Sequence, residues 1–207
     1  MPPDLDREDV DRKARHKARM QRKKAVIDKS IDAASEERGL FLINTGTGKG
    51  KSSAAFGVLA RSLGHGMQCA VIQFIKNRSD TGEEAFFRTH ANVRWHVMGD
   101  GFTWETQDDE KDKATAQAAW AQACIYLRDP AVDLVILDEF TYTLKYGWLT
   151  LEEVVPVFGE RPWMQHVIVT GRAAPEGLIE EADTVTDMSL KKHAYHAGVK
   201  AMPGIEW

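Results

Sequence analysis

The chain has 207 residues, a net charge of -4 and a composition 43% hydrophobic and 28% charged, which suits one well-filled α/β core and is short for two. A mean hydropathy of -0.39, and apolar runs that all fall short of the ~18 residues a span requires, exclude a membrane protein. The first stretch, "MPPDLDREDVDRKARHKARM", lacks the apolar centre of a secretory signal, so a cytoplasmic address is expected.

In chain order, residues 7–38 are rich in Lys, Arg, Ala, Asp and Glu and poor in large apolar groups, which favours a helix that contributes little to a core. Within them Arg12, Lys13, Arg15, Lys17, Arg19, Arg22, Lys23 and Lys24 form a basic run with no acidic residue. Such a run is either an arm for anionic ligands or a solvated helix face. It has no interleaved aromatics on which bases could stack, so nucleic acid is not expected as a partner. We expect residues 1–38 to be a basic, helical or mobile arm and 39–207 to be one domain.

From residue 39 the texture changes to short apolar runs, "LFLIN", "CAVIQF", "VRWHV", "VDLVILDEF" and "HVIVTG", separated by helical patterns. That alternation predicts an α/β fold, a mostly parallel sheet with helices on both faces. The first helix carries "SSAAFGVLARSLG" and ends at Gly64. A second starts near Thr106 and runs to Leu127, with Ala116, Trp120, Ala123 and Leu127 on one face and Asp129 and Pro130 as its stop. A third has a capping box, Thr150 with Glu153, and Pro175 opens a fourth. Cys69 and Cys124 fit buried, reduced thiols.

Three patches carry chemistry. In "NTGTGKGKSSAAFG", residues 44–57, Gly50, Lys51 and Ser52 follow a strand and open a helix, the setting in which this triplet means a phosphate-binding loop. Backbone N–H groups and the helix N-terminus supply partial positive charge, Lys51 a full one, Lys49 a second, and the Ser52 hydroxyl is placed to ligate Mg²⁺. The usual first glycine of such loops is replaced by Thr45, while Gly46 and Gly48 keep the backbone free to curl. The second patch is "LVILDEF", where Asp138 and Glu139 at a strand end suit Mg²⁺ directly or through water. The third, "GDGFTWETQ", sets Phe102 and Trp104 in a Gly-rich polar loop, as a lid over an apolar ligand or as part of the core. His193 and His196, three residues apart without acidic or thiol partners, read as a surface pair.

These segments, with "VIQFIK", "VIVTGRAAP" and the closing "AGVKAMPGIEW", occur in an order and spacing that resemble the phosphate-loop type of cob(I)alamin (corrinoid) adenosyltransferase from about residue 37 to the end. The family's loop reads TGxGKGKT/S, so Thr45 is its rule. The resemblance implies a P-loop NTPase-like (RecA-like) fold. It also implies transfer of the 5′-deoxyadenosyl group of ATP to the Co(I) centre of a corrinoid, with inorganic triphosphate leaving. Catalysis is then expected from Lys51 and Glu139, and ATP binding from Thr45, Gly46, Thr47, Gly48, Lys49, Gly50, Lys51, Ser52, Ser53 and Arg172. Ser52, Asp138 and Glu139 are expected to hold Mg²⁺, and Phe102 and Trp104 to meet the corrinoid. A homodimer, a flavoprotein reductant and no membrane partner are implied as well. The rival reading is a phosphate-loop ATPase or kinase that cleaves the β–γ bond. Trp207 stands where the family more often ends in Phe or Tyr, and no site is carried onto the arm.

Overall fold

The computed structural model describes residues 5–75, 81–99 and 109–206, in two compact units, Met1–Glu37 and Arg38–Trp207. The first holds one helix, α1 (Leu5–Ala33). Arg12 and Lys13 pair with Asp9, and Lys24 with Asp28, at helical spacing, while these basic side chains stay 75–79% exposed. Pairs of this kind support a helix by tenths of a kcal/mol, about 0.2–0.5 each.

In the second unit the strands are β1 (Phe41–Thr45), β2 (Cys69–Gln73), β3 (Val93–Val97), β4 (Leu134–Asp138), β5 (His166–Thr170) and β6 (Thr184–Asp187). They lie in the order β3-β2-β4-β5-β1-β6, and every pairing is parallel. Parallel neighbours need long crossovers, which are made through α2 (Lys51–Gly64), α3 (Gly82–Phe87), α4 (Asp109–Leu127), α5 (Thr141–Lys145), α6 (Leu151–Gly159) and α7 (Glu176–Ile179). Because helices cover both faces, β2 and β4 are buried at every position and read as unbroken apolar runs. On one face Ala116, Trp120, Ala123 and Leu127 of α4 and Phe158 of α6 pack over Ile43, Ile72, Val135 and Val169. On the other, Ala55, Phe56 and Leu59 of α2 join Phe87 and Trp95 over Val71, Ile136 and Ile168.

The helical face expected for α4 is the buried one, while its expected start near Thr106 lies outside the described residues. α6 has its capping box, Thr150 Oγ1 accepting from Glu153 N and the Glu153 carboxylate accepting from Thr150 N. Pro175 stands at the N-cap of the one-turn α7. Among the described residues, two α-helices and one strand escaped the sequence reading. α3 and α5 are too short to show a period, and β6, "TVTD", is exposed at all four positions. That strand is set by its neighbours: it pairs with β1, and Asp183 just before it accepts from Phe41 N at 2.8 Å and from Arg38 at 2.5 Å. The guanidinium of Arg38 is the largest cause holding the Asp183 carboxyl below its usual range.

Cys69 is buried and Cys124 half-buried, and both are free thiols. Burial pushes Cys69 up to about 12, so it stays a protonated, unreactive thiol. No helix among the described residues is long and apolar enough to cross a membrane.

Phe140 is fully buried, with ring centroids 5.1 Å from Phe74, 5.5 Å from Trp120 and 5.9 Å from Phe158. Phe140→Ala is expected to lose about 3–5 kcal/mol of unfolding free energy, read as a lower urea midpoint with an unchanged slope.

Candidate active site

The C-terminal ends of β1, β5 and β4 lie side by side in the sheet, with β5 inserted between the strand that carries the phosphate loop and the strand that carries the acidic pair. This is where ligands bind in open α/β sheets. Thr45 closes β1 with its side chain buried. Its Oγ1 accepts from Ala174 N at 3.2 Å and its carbonyl accepts from Met188 N at 2.8 Å. The residue that replaces the usual glycine therefore ties the phosphate loop to the segments after β5 and after β6.

The loop then turns at two left-handed glycines, Gly46 at φ 100° and Gly50 at φ 106°. A Cβ on Gly46 would sit 2.4 Å from Asp187 Oδ1 and 2.7 Å from Met188 O. Gly48 donates its N–H to Met188 O at 2.6 Å, and Leu190 N donates to Thr47 Oγ1. Residues 187–190 thus form the wall on which the loop rests. Gly50 caps α2 with no side-chain hydrogen bond, so the first N–H groups of that helix remain available to an anion.

Lys51, the first residue of α2, is 7% exposed, and its Nζ donates to Gly48 O at 2.6 Å. Burial is the largest cause lowering its pKa. The Glu139 and Asp138 carboxylates oppose that shift, and Arg172 and Lys49 add to it. The two lysines, the two carboxylates and Arg172, from three separate segments, therefore share one electrostatic site. Lys49 is exposed and pairs with Glu206 near the end of the chain. Thr47 and Ser53 are exposed, and Ser52 is half-buried beside Lys51. Arg172 follows β5 with an exposed side chain, and its carbonyl accepts from Thr141 Oγ1 at 2.8 Å.

Asp138 is fully buried. Its Oδ1 accepts from Thr170 Oγ1 at 2.7 Å and its Oδ2 from Gln73 Nε2 at 2.9 Å. Glu139, half-buried, takes the left-handed backbone at φ 60°, and its N–H donates to Thr170 Oγ1 at 3.0 Å. The donor set of a serine hydroxyl and two carboxylates consists only of hard oxygens, which fits Mg²⁺ held by a few protein groups with phosphates and water completing its shell. Both Asp138 oxygens accept from side-chain donors.

Phe102 and Trp104 lie outside the described residues, as does Trp207. His193 Nδ1 accepts from Tyr195 N at 3.1 Å and so caps a short 3₁₀ turn. Among the described residues no three His, Cys, Asp or Glu side chains gather as a metal cage. Gln73, Thr141 and the wall at 187–190 were missed as parts of the site by the sequence reading, and Thr170 received only a place at the sheet edge.

Gly46→Ala is expected to abolish ATP binding in calorimetry, whereas Gly57→Ala, with nothing within 4 Å of its new Cβ on α2, should bind normally and gain about 0.5–1 kcal/mol of stability. Lys51 gives up its proton at a lower pH than an ordinary lysine, and only the ammonium attracts phosphate. ATP affinity of the free enzyme should therefore start to fall below the usual lysine range as pH rises, and Lys51→Ala should lack that limb.

The chain matches the model of the ATP:corrinoid adenosyltransferase family BtuR/CobO/CobP over residues 37–207. It also matches that of the cob(I)alamin adenosyltransferase N-terminal segment over residues 8–31. The likeness thus extends into the basic arm, which the sequence reading had left out. The corrinoid adenosyltransferase of Pseudomonas aeruginosa is 56% identical over 201 residues, covering 97% of this chain and 99% of that protein. That of a Sinorhizobium species is 45% identical, covering 94% and 92%, and that of Escherichia coli K12 is 45% identical, covering 93% and 98%. With phosphate loop, acidic strand end and flanking wall assembled at one edge of a parallel sheet, the chain belongs to the ATP:corrinoid adenosyltransferase family.

Proposed function

We propose that the chain joins the 5′ carbon of ATP to the Co(I) centre of a corrinoid and releases inorganic triphosphate. The observation that carries this reading is the phosphate loop itself. The residue that departs from hydrolase loops, Thr45, is locked on both sides by hydrogen bonds to the segments after β5 and after β6. It is a built part of the site.

In the reaction the cobalt electron pair forms the Co–C bond, and the pair of the C5′–O bond leaves with the triphosphate. Co(I) in a corrin is nucleophilic enough that no side chain need take a proton, so the protein's work is placement and charge. Lys51 and Lys49 face the leaving triphosphate, with Arg172 as a third cation and the first N–H groups of α2 beneath it. Lys49, which pairs with Glu206, is the exposed cation of the loop. Ser52 and Glu139 would hold Mg²⁺, with Asp138 as the buried charge behind them. The ion, when bound, neutralises triphosphate charge as a Lewis acid.

Phe102 and Trp104 pack beneath the corrin and exclude its lower axial ligand. Four-coordinate Co(II) is then easier to reduce by one electron, which a flavoprotein reductant delivers. The enzyme works as a homodimer in the cytoplasm.

Phosphorus NMR of the products is expected to find triphosphate. ADP with phosphate would replace this reading by β–γ cleavage. Lys51→Ala should slow transfer to chemically prepared Co(I) by about 10²–10³-fold. Phe102→Ala and Trp104→Ala should lose more activity with a protein reductant and Co(II) than with preformed Co(I). Equal losses would make these rings core.

A further inference from the structure

Behind the acidic pair lies a chain of hydrogen bonds in which every donor and acceptor is fixed by chemistry. The indole of Trp95 can only donate, and its Nε1 does so to Gln73 Oε1 at 3.2 Å. That sets the orientation of the Gln73 amide, whose Nε2 donates to Asp138 Oδ2 at 2.9 Å. On the other side the single hydroxyl proton of Thr170 goes to Asp138 Oδ1, which leaves the Thr170 oxygen to accept from Glu139 N. Gln73, Asp138 and Thr170 are fully buried and Trp95 nearly so. An ionised carboxylate at such depth is tolerated because it receives donors.

The chain ends on the one residue of the acidic strand end whose backbone is strained. Glu139 takes φ 60°, a conformation that costs a non-glycine residue of order 1–3 kcal/mol and persists only where the surroundings impose it. The Thr170 hydroxyl holds the Glu139 N–H in that conformation, while its own direction is dictated by Asp138. The same strand end carries a parallel tie: Thr141 Oγ1 donates to Arg172 O at 2.8 Å. There a Cβ on Gly171 would fall 2.1 Å from Thr141 Oγ1. The loops after β4 and β5 are thereby pinned to each other from both sides.

We propose that Thr170, oriented through Asp138 by Gln73 and Trp95, is a positioning residue that aims the Glu139 carboxylate at the metal-bound triphosphate. This rests on the reading of Glu139 as the Mg²⁺ carboxylate given above. Thr170 acts through Glu139, by setting the backbone from which that side chain projects. Its removal should therefore be felt through the metal and spare metal-free nucleotide binding.

The test measures ATP binding by calorimetry, with and without Mg²⁺, for the full chain and for Thr170→Val, Thr170→Ser and Glu139→Gln, alongside thermal melts. Thr170→Val keeps the shape and lacks the hydroxyl. It is expected to weaken Mg²⁺ in the ternary complex by about 10–100-fold, the range for residues that orient metal ligands, with ATP binding in EDTA unchanged. Thr170→Ser should restore the Mg²⁺ dependence, and Glu139→Gln should lose it. With Co(I) supplied chemically, the Thr170→Val defect in transfer should shrink as Mg²⁺ is raised.

A Thr170→Val enzyme that keeps the wild-type Mg²⁺ dependence while Glu139→Gln loses it overturns the positioning role and leaves Glu139 in place. Equal weakening with and without Mg²⁺ also overturns it, since that is the mark of a merely structural threonine. If Glu139→Gln itself keeps the Mg²⁺ dependence, the assignment of Glu139 fails and the positioning role with it. Should Thr170→Val melt below the assay temperature, the same comparison is read on Gln73→Met, which cuts the other arm at Asp138 and leaves the hydroxyl present.

Discussion

The buried ammonium of Lys51 is the interaction on which the rest of the structure depends. A cation taken out of water is costly unless partners replace its hydration, and here they come from two segments: the Gly48 carbonyl of its own loop and, from the end of β4, the charges of Glu139 and Asp138. Each partner sits at the C-terminal end of a parallel strand or in the loop that leaves it. The sheet brings them to one edge because β5 lies between β1 and β4. An anionic ligand entering this edge meets a lysine already desolvated, where charge–charge attraction is stronger than in water.

That cation requires a loop that curls tightly, and the curl in turn requires a wall. Gly46 and Gly48 have backbone of Met188 and Ser189 where a side chain would be, and Thr45 reaches across to Ala174. The phosphate loop is therefore held from the β5 side and the β6 side at once. The strand that builds the second side, β6, is exposed along its length. It is kept by pairing with β1 and by the Asp183 anchor to Phe41 and Arg38. A weakly apolar edge strand is tolerated because its role is to deliver the segment after it to the loop.

The acidic strand end follows the same logic of strain held by neighbours. Glu139 and Ala173 are the two non-glycine residues with left-handed backbones among those described, and each follows the end of a strand that borders the site. Threonine hydroxyls from the opposite loop brace both turns. Rigid support of this kind suits a reaction in which the protein contributes alignment and charge, since cobalt supplies the nucleophile.

Local pattern sufficed for what depends on neighbours in sequence. The apolar runs marked five strands, the 3.6-residue period marked the buried face of α4, Thr150 with Glu153 marked the start of α6, and a glycine-rich turn ahead of Lys51 and Ser52 marked the phosphate loop. Chain order and motif spacing also pointed to the family. The tertiary structure alone decided which strand lies beside which, that Thr45 reaches Ala174, that Gly48 rests on Met188, and that Thr170 grips Glu139. Those contacts join residues 31 to 140 positions apart, through single hydrogen bonds that leave no period and need no particular composition. They exist only once the sheet has set its strands in register.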